Sequence, residues 1–489
     1  MGHTAEYVFC CTDHLDNYDV KLVCSMISEN ESALSRGRIP AHELKEVMNV
    51  SLMLLRAKAN LSRHNIMMLN IGSVYFNMQQ SSLPISARAY QEMISYHYMS
   101  YDSFSRPYKF YDLPKVTNPV EQFSSHGFYE LTGFWPEQVS EISMELIFLP
   151  PIIRCRLTGC VAPKELAIFL LLRRWHIPGK WDAVSRDLRQ QRGWCIQIYD
   201  EVFKLLVVLY RKCVRVLDYR RINPKLEEWG RQMSSHCGCD ENVIFFTDGK
   251  PWKMSRPGRG TAVRQICQAA GCGDVNLMQR AFYNGHYKYH GAKVQHVVQA
   301  DGIAYSFTCP IRNHDALVLR NSHMILMLSS VYIGGDINNP AVTVTDKAYG
   351  RTDHFRPIHT DAELRMMAPI ERAAAVEFDK KHKKPRMAVE YSFNQQVTKF
   401  RHIDDYRRHR MTQNGRVHWQ RLRCLWDMQT FFFNLYTCSA GSQVTGTLGV
   451  SPPTVGEYLY SVHHNLLVDF PMDENDEQFD GDAADAYYI

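Results

Sequence analysis

An α/β domain with a mixed sheet, set between helical segments, is the fold class that the sequence predicts, and three observations predict it. First, NVIFFTDG is a β-branched and aromatic run that reads as a strand ending at Asp248. Second, AKVQHVVQAD alternates apolar and polar residues, turns at Asp301-Gly302 and continues as IAYSFTCPI, which is a β-hairpin with a strong turn signal. Third, AVTVTDKAYG reads as a further strand ending at Asp346. A helical stretch precedes it (DALVLRNSHMILMLSSV), and two follow it (DAELRMMAPIERAAAVEFDKKH and PRMAVEYSFNQQVTKF). Strand, hairpin, helix, strand and helix in that order over residues 226–403 describe a mixed sheet rather than a sandwich or a bundle.

The flanks read differently. Residues 1–125 form a poorly patterned leader, with one amphipathic helix expected in HELKEVMNVSLMLLRAKANL. Residues 126–225 are helical. Pro136 opens one helix, Pro163 stands at the start of ELAIFLLLRRW, and Pro178-Gly179 breaks the chain before KWDAVSRDLRQ and WCIQIYDEVFKLLVVLYRK. A short helix, a tight turn and a longer helix outline either a helix-turn-helix or a plain bundle packed on the next domain. In the first case Arg186, Arg189 and Arg192 would meet a DNA backbone. Residues 404–470 return to helix, and residues 471–489 form an acidic tail too poor in apolar residues to fold alone.

Bulk composition narrows the function classes. The chain has 489 residues, enough for two to four domains, and 45% of them are hydrophobic, enough for ordinary cores. The net charge of +5 hides an asymmetry, because the tail holds no Lys or Arg and the body is correspondingly basic, which suits an anionic partner. The 14 cysteines are scattered and do not make the dense framework of a small secreted domain. The N-terminus carries no basic and apolar signal segment, and no apolar run reaches the roughly 18 residues that span a bilayer. A soluble intracellular protein with reduced thiols and no membrane contact is therefore expected.

Three carboxylates stand out by position. Asp248 and Asp346 fall at strand ends, where α/β folds keep their sites, and Glu390 falls within a helix that can complete the cluster. Oxygen ligands of this kind suit hard cations such as Mg²⁺ or Mn²⁺. A pair of such ions roughly 3.5–4 Å apart activates a water and stabilises the leaving oxygen in phosphodiester cleavage. Against this, a chain with 51 acids always offers three at such positions.

The sequence around each acid carries more. TDGKPWKMSRP, QRAFYNGHYKYHGAKVQHVVQADGI, CPIRNHDALVLRNS, TVTDKAYG and PRMAVEYSF follow one another in an order that resembles the catalytic domain of PIF/Harbinger transposases, the DDE superfamily endonucleases and Harbinger transposase-derived nucleases with a ribonuclease H-like fold. The acids are separated by 98 and 44 positions, compatible with that family, and weaker similarity spans most of residues 130–460. The resemblance implies a ribonuclease H-like catalytic domain and a metal-dependent DNA endonuclease or transposase. Asp248, Asp346 and Glu390 would be its catalytic acids, holding Mg²⁺ or Mn²⁺ as two ions. It adds Asp315 as a fourth acid at the metals, although Asp315 also suits the N-cap of the helix that follows. It implies further double-stranded DNA at transposon ends as substrate, a Myb-like DNA-binding partner protein, a homo-oligomer and a nuclear location. The chain departs from the family at Thr345, Lys347, Tyr391 and Asn394. These departures keep open an alternative: a domesticated, catalytically weak DNA-binding or scaffold protein that retains the transposase fold.

Three other signals stay ambiguous. The basic run at 380–386 reads as a phosphate grip, a nuclear-localisation patch or a solvated helix end. Arg407, Arg408 and Arg410 make a second basic cluster. His236, Cys237 and Cys239 with Cys267 and Cys272 sketch a zinc site, at spacings that fit the common structural pattern poorly.

Overall fold

The computed structural model describes residues 115–467 except 156–157, 259–276, 314, 316–317, 320–321, 323, 411 and 414–415. The helix expected near residue 50, the acidic tail, His314, Cys267 and Cys272 lie outside the described residues.

The helical part before the sheet is built from residues that start and stop helices cleanly. Helix α1 (Ser125–Thr132) is capped by Ser124, whose side chain accepts from the Gly127 N–H, and ends at Gly133 with φ 75°. A Cβ at Gly133 would stand 2.8 Å from His176 Nδ1, so both backbone and space demand glycine. Helix α2 (Pro136–Glu145) opens on proline. A small hairpin, β1 (Ile152–Arg154) with β2 (Val161–Pro163), leads into α3 (Lys164–His176). Every residue of α3 from Leu166 to Trp175 is buried, so this helix needs partners on all sides. It packs against α1, α4 (Trp181–Leu188) and α5 (Arg192–Tyr210). The α4–α5 turn carries Arg189 in the left-handed region at φ 52°. Most of α5 from Cys195 to Tyr210 is buried, while its first turn with Arg192 stays exposed. Helix α6 (Leu226–Cys237) then delivers the chain to the sheet.

Among the described residues the sheet has six strands. They are β3 (Val243–Lys253), β4 (Tyr283–Asn284), β5 (Tyr289–Gln299), β6 (Ala304–Pro310), β7 (Val342–Thr345) and β8 (Phe355–Pro357). Strand β5 lies between β3 and β6, antiparallel to both, and the short β4 pairs with its start. On the other side β7 runs parallel to β3, and β8 parallel to β7. Three antiparallel strands followed by two parallel ones make the curled mixed sheet of a ribonuclease H-like nuclease domain. The hairpin forms as the sequence indicates, with Gly302 at φ 83° in its turn.

Two sequence expectations are corrected. The first strand does not end at Asp248. It runs five residues further, through Gly249-Lys250-Pro251-Trp252-Lys253, because β5 continues the ladder to Lys253↔Gly291. Pairing with β7 stops at Thr247, which leaves that edge of β3 open where Pro251 stands without an N–H to donate. The two helices expected on either side of residue 385 are one helix, α9 (Pro369–Lys399), with Pro385 inside it. An interior proline costs roughly 3 kcal/mol, offset here by burial of His382, Ala388, Val389 and Phe393 on the face turned to the sheet. The basic run at 380–386 is therefore mid-helix rather than a helix end, with Lys380, Lys381, Lys383 and Lys384 exposed and His382 buried.

Before α9 come α7 (Met324–Leu328) and α8 (Asp361–Met366), the latter closed by a capping box between Thr360 and Glu363. After it come α10 (Trp419–Ala440), α11 (Gln443–Leu448) and α12 (Val455–His463). Helix α10 is buried along most of its length and contacts β6, α5 and α9, so the helices before and after the sheet share one core with it. No helix among the described residues is long and apolar enough to cross a membrane.

Candidate active site

Strand register brings the first two acids together. Thr247↔Thr345 is the last parallel pair of β3 and β7, so Asp248 and Asp346 come next on each strand, side by side at the carboxyl end of the pair. Neighbouring strands lie about 4.8 Å apart. Successive side chains alternate between faces, so Thr247 and Thr345 turn one way, fully buried, and Asp248 turns the other. His296 is paired with Asp248 on β5 and shares its face. There the His296 ring stacks on Phe393 of α9 at 4.1 Å, and its Nδ1 lies 3.2 Å from Ser392 Oγ. Burial pushes the His296 pKa down to about 3, so it is a neutral packing residue. These contacts fix α9 against the face that carries Asp248.

Glu390 sits on the same helix and is joined to Asp248 through Arg386, one turn before it. Arg386 Nη2 donates to Glu390 Oε1 at 3.2 Å, and its Nη1 stands 3.5 Å from Asp248 Oδ2. Asp248 also accepts from the Gly249 N–H at 2.7 Å. Even so, burial pushes the Asp248 pKa up to about 6; the Gly249 N–H and Arg386 work against that rise, whereas Asp346 and Asp315 add to it.

Asp315 approaches from the other side of the strand. Lys293, Gln295 and Gly249 alternate with His296 and Asp248 and face away from α9. Lys293 Nζ is 2.9 Å from Asp315 Oδ1, and Gln295 Nε2 donates to the Asp315 carbonyl at 3.3 Å and to the Tyr349 hydroxyl at 2.5 Å. A Cβ on Gly249 would lie 2.3 Å from Asp315 Oδ1, so a glycine after Asp248 is what lets this carboxylate in. Asp248 and Asp346 are thus adjacent, Glu390 is tied to Asp248 by a guanidinium, and Asp315 is held by Lys293 beneath them. Among the described residues no three His, Cys, Asp or Glu side chains close on one ion position. The donors nonetheless fit a hard divalent cation in kind. They are all carboxylate oxygens, and Asp248 carries a charge that burial opposes.

Two residues escaped the sequence reading as members of this site. Arg386 was one letter of a basic run, yet its spacing of four from Glu390 on a helix puts the two on one face. Lys250 lies two positions after Asp248 on a strand and so shares its face. Its Nζ donates to Asn394 Oδ1 at 2.8 Å, and burial lowers its pKa while Asp404, Glu390 and Asp248 pull it back up. Asn394, a departure from the family pattern, is thereby a partner for Lys250. Thr345 is buried, and Lys347 is exposed in the turn after Asp346.

The described part of the zinc sketch is a thiol pair. Cys237 Sγ and Cys239 Sγ lie 3.5 Å apart, and His236 Nε2 turns to the Gly446 carbonyl at 3.2 Å.

A mixed sheet of this order, with acids at the carboxyl end of its parallel pair, defines a nuclease-type α/β domain. Residues 267–419, about a third of the chain, match the family model of the DDE superfamily endonucleases. The match supports that superfamily for the stretch carrying Asp315, Asp346 and Glu390; it begins after Asp248. No curated protein and no solved structure matches the chain.

Proposed function

We propose that this protein is a DNA endonuclease or transposase of the PIF/Harbinger kind, dependent on divalent metal. The observation that carries the reading is the register of β3 and β7, which brings Asp248 and Asp346 side by side at the carboxyl end of the parallel pair, with Asp248 on the face of the sheet that α9 covers. Asp248, Asp346 and Glu390 would hold Mg²⁺ or Mn²⁺, which supplies an activated water and charge neutralisation at the scissile phosphate. The chain's own cations then have defined work. Arg386 balances Asp248 and Glu390 and keeps Glu390 turned toward the strands. Lys250, held by Asn394, places a further positive charge on the same face, where a phosphate oxygen would be steered. Asp315, paired with Lys293, supports the floor beneath Gly249. Strand transfer, a Myb-like partner protein, a homo-oligomer and a nuclear location extend this proposal from the family resemblance.

A second reading is a DNA-binding or scaffold protein that keeps the fold without the chemistry. The pairing of Arg386 with both Asp248 and Glu390 favours it, because a guanidinium there supplies the positive charge that cations would otherwise supply. One experiment separates the two. Nicking of supercoiled plasmid is measured for wild type and Asp248→Asn with Mg²⁺ or with EDTA, alongside DNA binding. The nuclease reading requires Mg²⁺-dependent nicking that Asp248→Asn abolishes while DNA affinity is kept. Nicking that is equal in both proteins, or absent from wild type that binds DNA, overturns it.

A further inference from the structure

The thiol pair of Cys237 and Cys239 lies where α6 gives way to β3. Cys237 is the last residue of α6, Gly238 caps the helix in the left-handed region at φ 74°, and Cys239 follows. That reversal turns the two side chains back on each other, so the sulfurs stand 3.5 Å apart, and both cysteines are free thiols. Cys237 Sγ donates to the Met233 carbonyl at 3.1 Å, a bond one turn back along α6 that fixes its rotamer. Cys237 is half-buried, whereas Cys239 is 2% exposed. Asp240, the next residue, is held by α9: its N–H donates to His382 Nε2 at 3.2 Å, and its Oδ1 lies 3.4 Å from Lys381 Nζ. The pair therefore sits beside an anchor of the helix that carries Arg386 and Glu390.

Two sulfurs at this separation are close to bonding. A disulfide needs them at about 2.05 Å, a closure on the scale of a side-chain rotation rather than of a change in fold. The two cysteines are not equivalent. The hydrogen bond from the Cys239 thiol holds the Cys237 thiol below its usual range, with the Cys239 N–H, His236 and Lys384 acting in the same direction and burial against them. The same bond, together with burial, holds Cys239 above that range. Cys237, reachable from solvent and the more readily ionised, is thus the attacking sulfur. Cys239, covered and protonated, is the resolving one. Partial burial also selects the oxidant by size. A peroxide is small enough to reach Cys237, where a bulky peptide disulfide is hindered.

We infer that Cys237 and Cys239 form a peroxide-responsive site that closes reversibly into a disulfide. The Cys237 thiolate attacks one oxygen of hydrogen peroxide. The O–O bond breaks, hydroxide leaves and takes up the proton that Cys237 lost, and the sulfur becomes a sulfenic acid, oxidised by two electrons. Cys239 Sγ then attacks that sulfur. The S–S bond forms, the S–O bond breaks, and the leaving hydroxide takes the Cys239 proton as water. Two thiols and one peroxide give one disulfide and two waters. The site is independent of the nuclease reading, because neither the carboxylates nor a metal takes part.

The test uses the full reduced chain in EDTA, so that no metal shields the thiols. After a short exposure to hydrogen peroxide, remaining thiols are blocked and the protein is digested with trypsin. The fragment 232–253 holds Cys237 and Cys239 and no other cysteine, since trypsin spares the Lys250-Pro251 bond. Cys160, half-buried and hydrogen-bonded to Gln197 Oε1 at 2.9 Å, serves as the internal comparison. The expected result is a fragment lighter by two hydrogens, formed about tenfold faster than Cys160 is oxidised and restored by dithiothreitol. In Cys239→Ser the sulfenic acid on Cys237 should persist and be captured by dimedone, with the disulfide lost. The wild-type measurement needs no variant and decides the matter by itself. A fragment that keeps both thiols while Cys160 reacts, that is oxidised no faster than Cys160, that is joined instead to another cysteine, or that passes to sulfinic acid without a disulfide overturns the inference.

Discussion

Two sets of ion pairs in this molecule obey different rules. Where the helical parts meet the core, pairs are short and dry: Arg211 Nε lies 2.7 Å from Asp427 Oδ2 with the two side chains 3% and 0% exposed, and Arg421–Asp200 and Arg221–Asp301 are built alike. At the acid site the pairs that Arg386 makes are longer and wetter. Arg386 stands 3.5 Å from Asp248 and 3.2 Å from Glu390, whose side chain is 43% exposed. In the first set each charge is matched and fixed, as a buried charge must be. In the second, Arg386 is divided between two acids, Asp346 stands beside them, and Lys250 on the same face is held by Asn394, so three acids face two cations and negative charge is in excess. A surplus of carboxylate on a half-buried sheet face is a poor way to hold a fold together. It is a good way to hold something that arrives from solvent.

The largest effect should come from breaking a dry pair. Asp427→Ala removes the carboxylate that Arg211 meets at 2.7 Å and Arg215 at 3.9 Å, and is expected to cost about 3–5 kcal/mol by chemical denaturation. Arg211→Met with Asp427→Leu should recover most of that loss, since two apolar residues need no partners. A loss below about 1 kcal/mol would put this pair in the same class as the acid site and erase the contrast.

A change of opposite sign is expected at the site. The Asp248 pKa is raised from 3.8 to about 6, so the folded chain keeps its proton over a range where the unfolded chain has lost it. Ionisation therefore destabilises the fold, not at all below pH 4 and fully above pH 6. Asp248→Asn should raise stability at pH 7.5 by about 1–2 kcal/mol, after allowance for the part of the group that water screens, and should change nothing at pH 4. Thermal unfolding at the two pH values reads this directly. A variant less stable than wild type at pH 7.5 would make Asp248 a structural acid like Asp427.

Arg386 decides how the surplus is balanced. Arg386→Gln keeps hydrogen-bonding capacity and removes the charge that competes with a cation for Asp248 and Glu390. Binding of Mn²⁺, followed by calorimetry, should tighten by a few-fold to about tenfold, the size of one opposite charge at this distance in a partly wet site. Weaker binding would assign Arg386 the opposite role, that of holding the acids in position.

Much of this arrangement was legible in the sequence, and the limits have physical causes. The strands holding Asp248 and Asp346 and the turn at Gly302 follow from local pattern, because β-branched runs and an Asp-Gly turn specify their own conformation. The end of β3 did not follow. Gly249-Lys250-Pro251 breaks a strand locally, and only the partner strand β5 carries the ladder through it. Pro385 misled for the same reason: its cost is local, and the burial that offsets it is tertiary. The side of the sheet that Asp315 approaches was likewise invisible, because it depends on Lys293 and on the space left by Gly249. Cys237 and Cys239 stood in the sequence only as part of a zinc sketch, because the contact between their sulfurs depends on the left-handed turn at Gly238.

The smallest effect concerns the turn between α4 and α5, whose arginines lie at or near the surface. Arg186 and Arg192 are exposed, and the Arg192–Asp182 contact, at 3.6 Å with both side chains about half exposed, contributes little to stability. Arg189 holds the turn at φ 52°, and an alanine there has the same Cβ and bears much the same backbone strain. Replacing all three by Ala should thus leave the thermal transition nearly where it is. If the turn lies against a DNA backbone, each lost phosphate contact lowers the slope of log affinity against log salt by up to ~0.9, so the triple variant should bind duplex DNA more weakly and with a flatter dependence. A fluorescence-anisotropy titration from low to moderate salt measures that slope without any chemistry at the acids. An unchanged slope would leave α4 and α5 as packing helices, α5 buried against α3 and α10, and would leave DNA contact to other basic surfaces, such as the exposed lysines of α9.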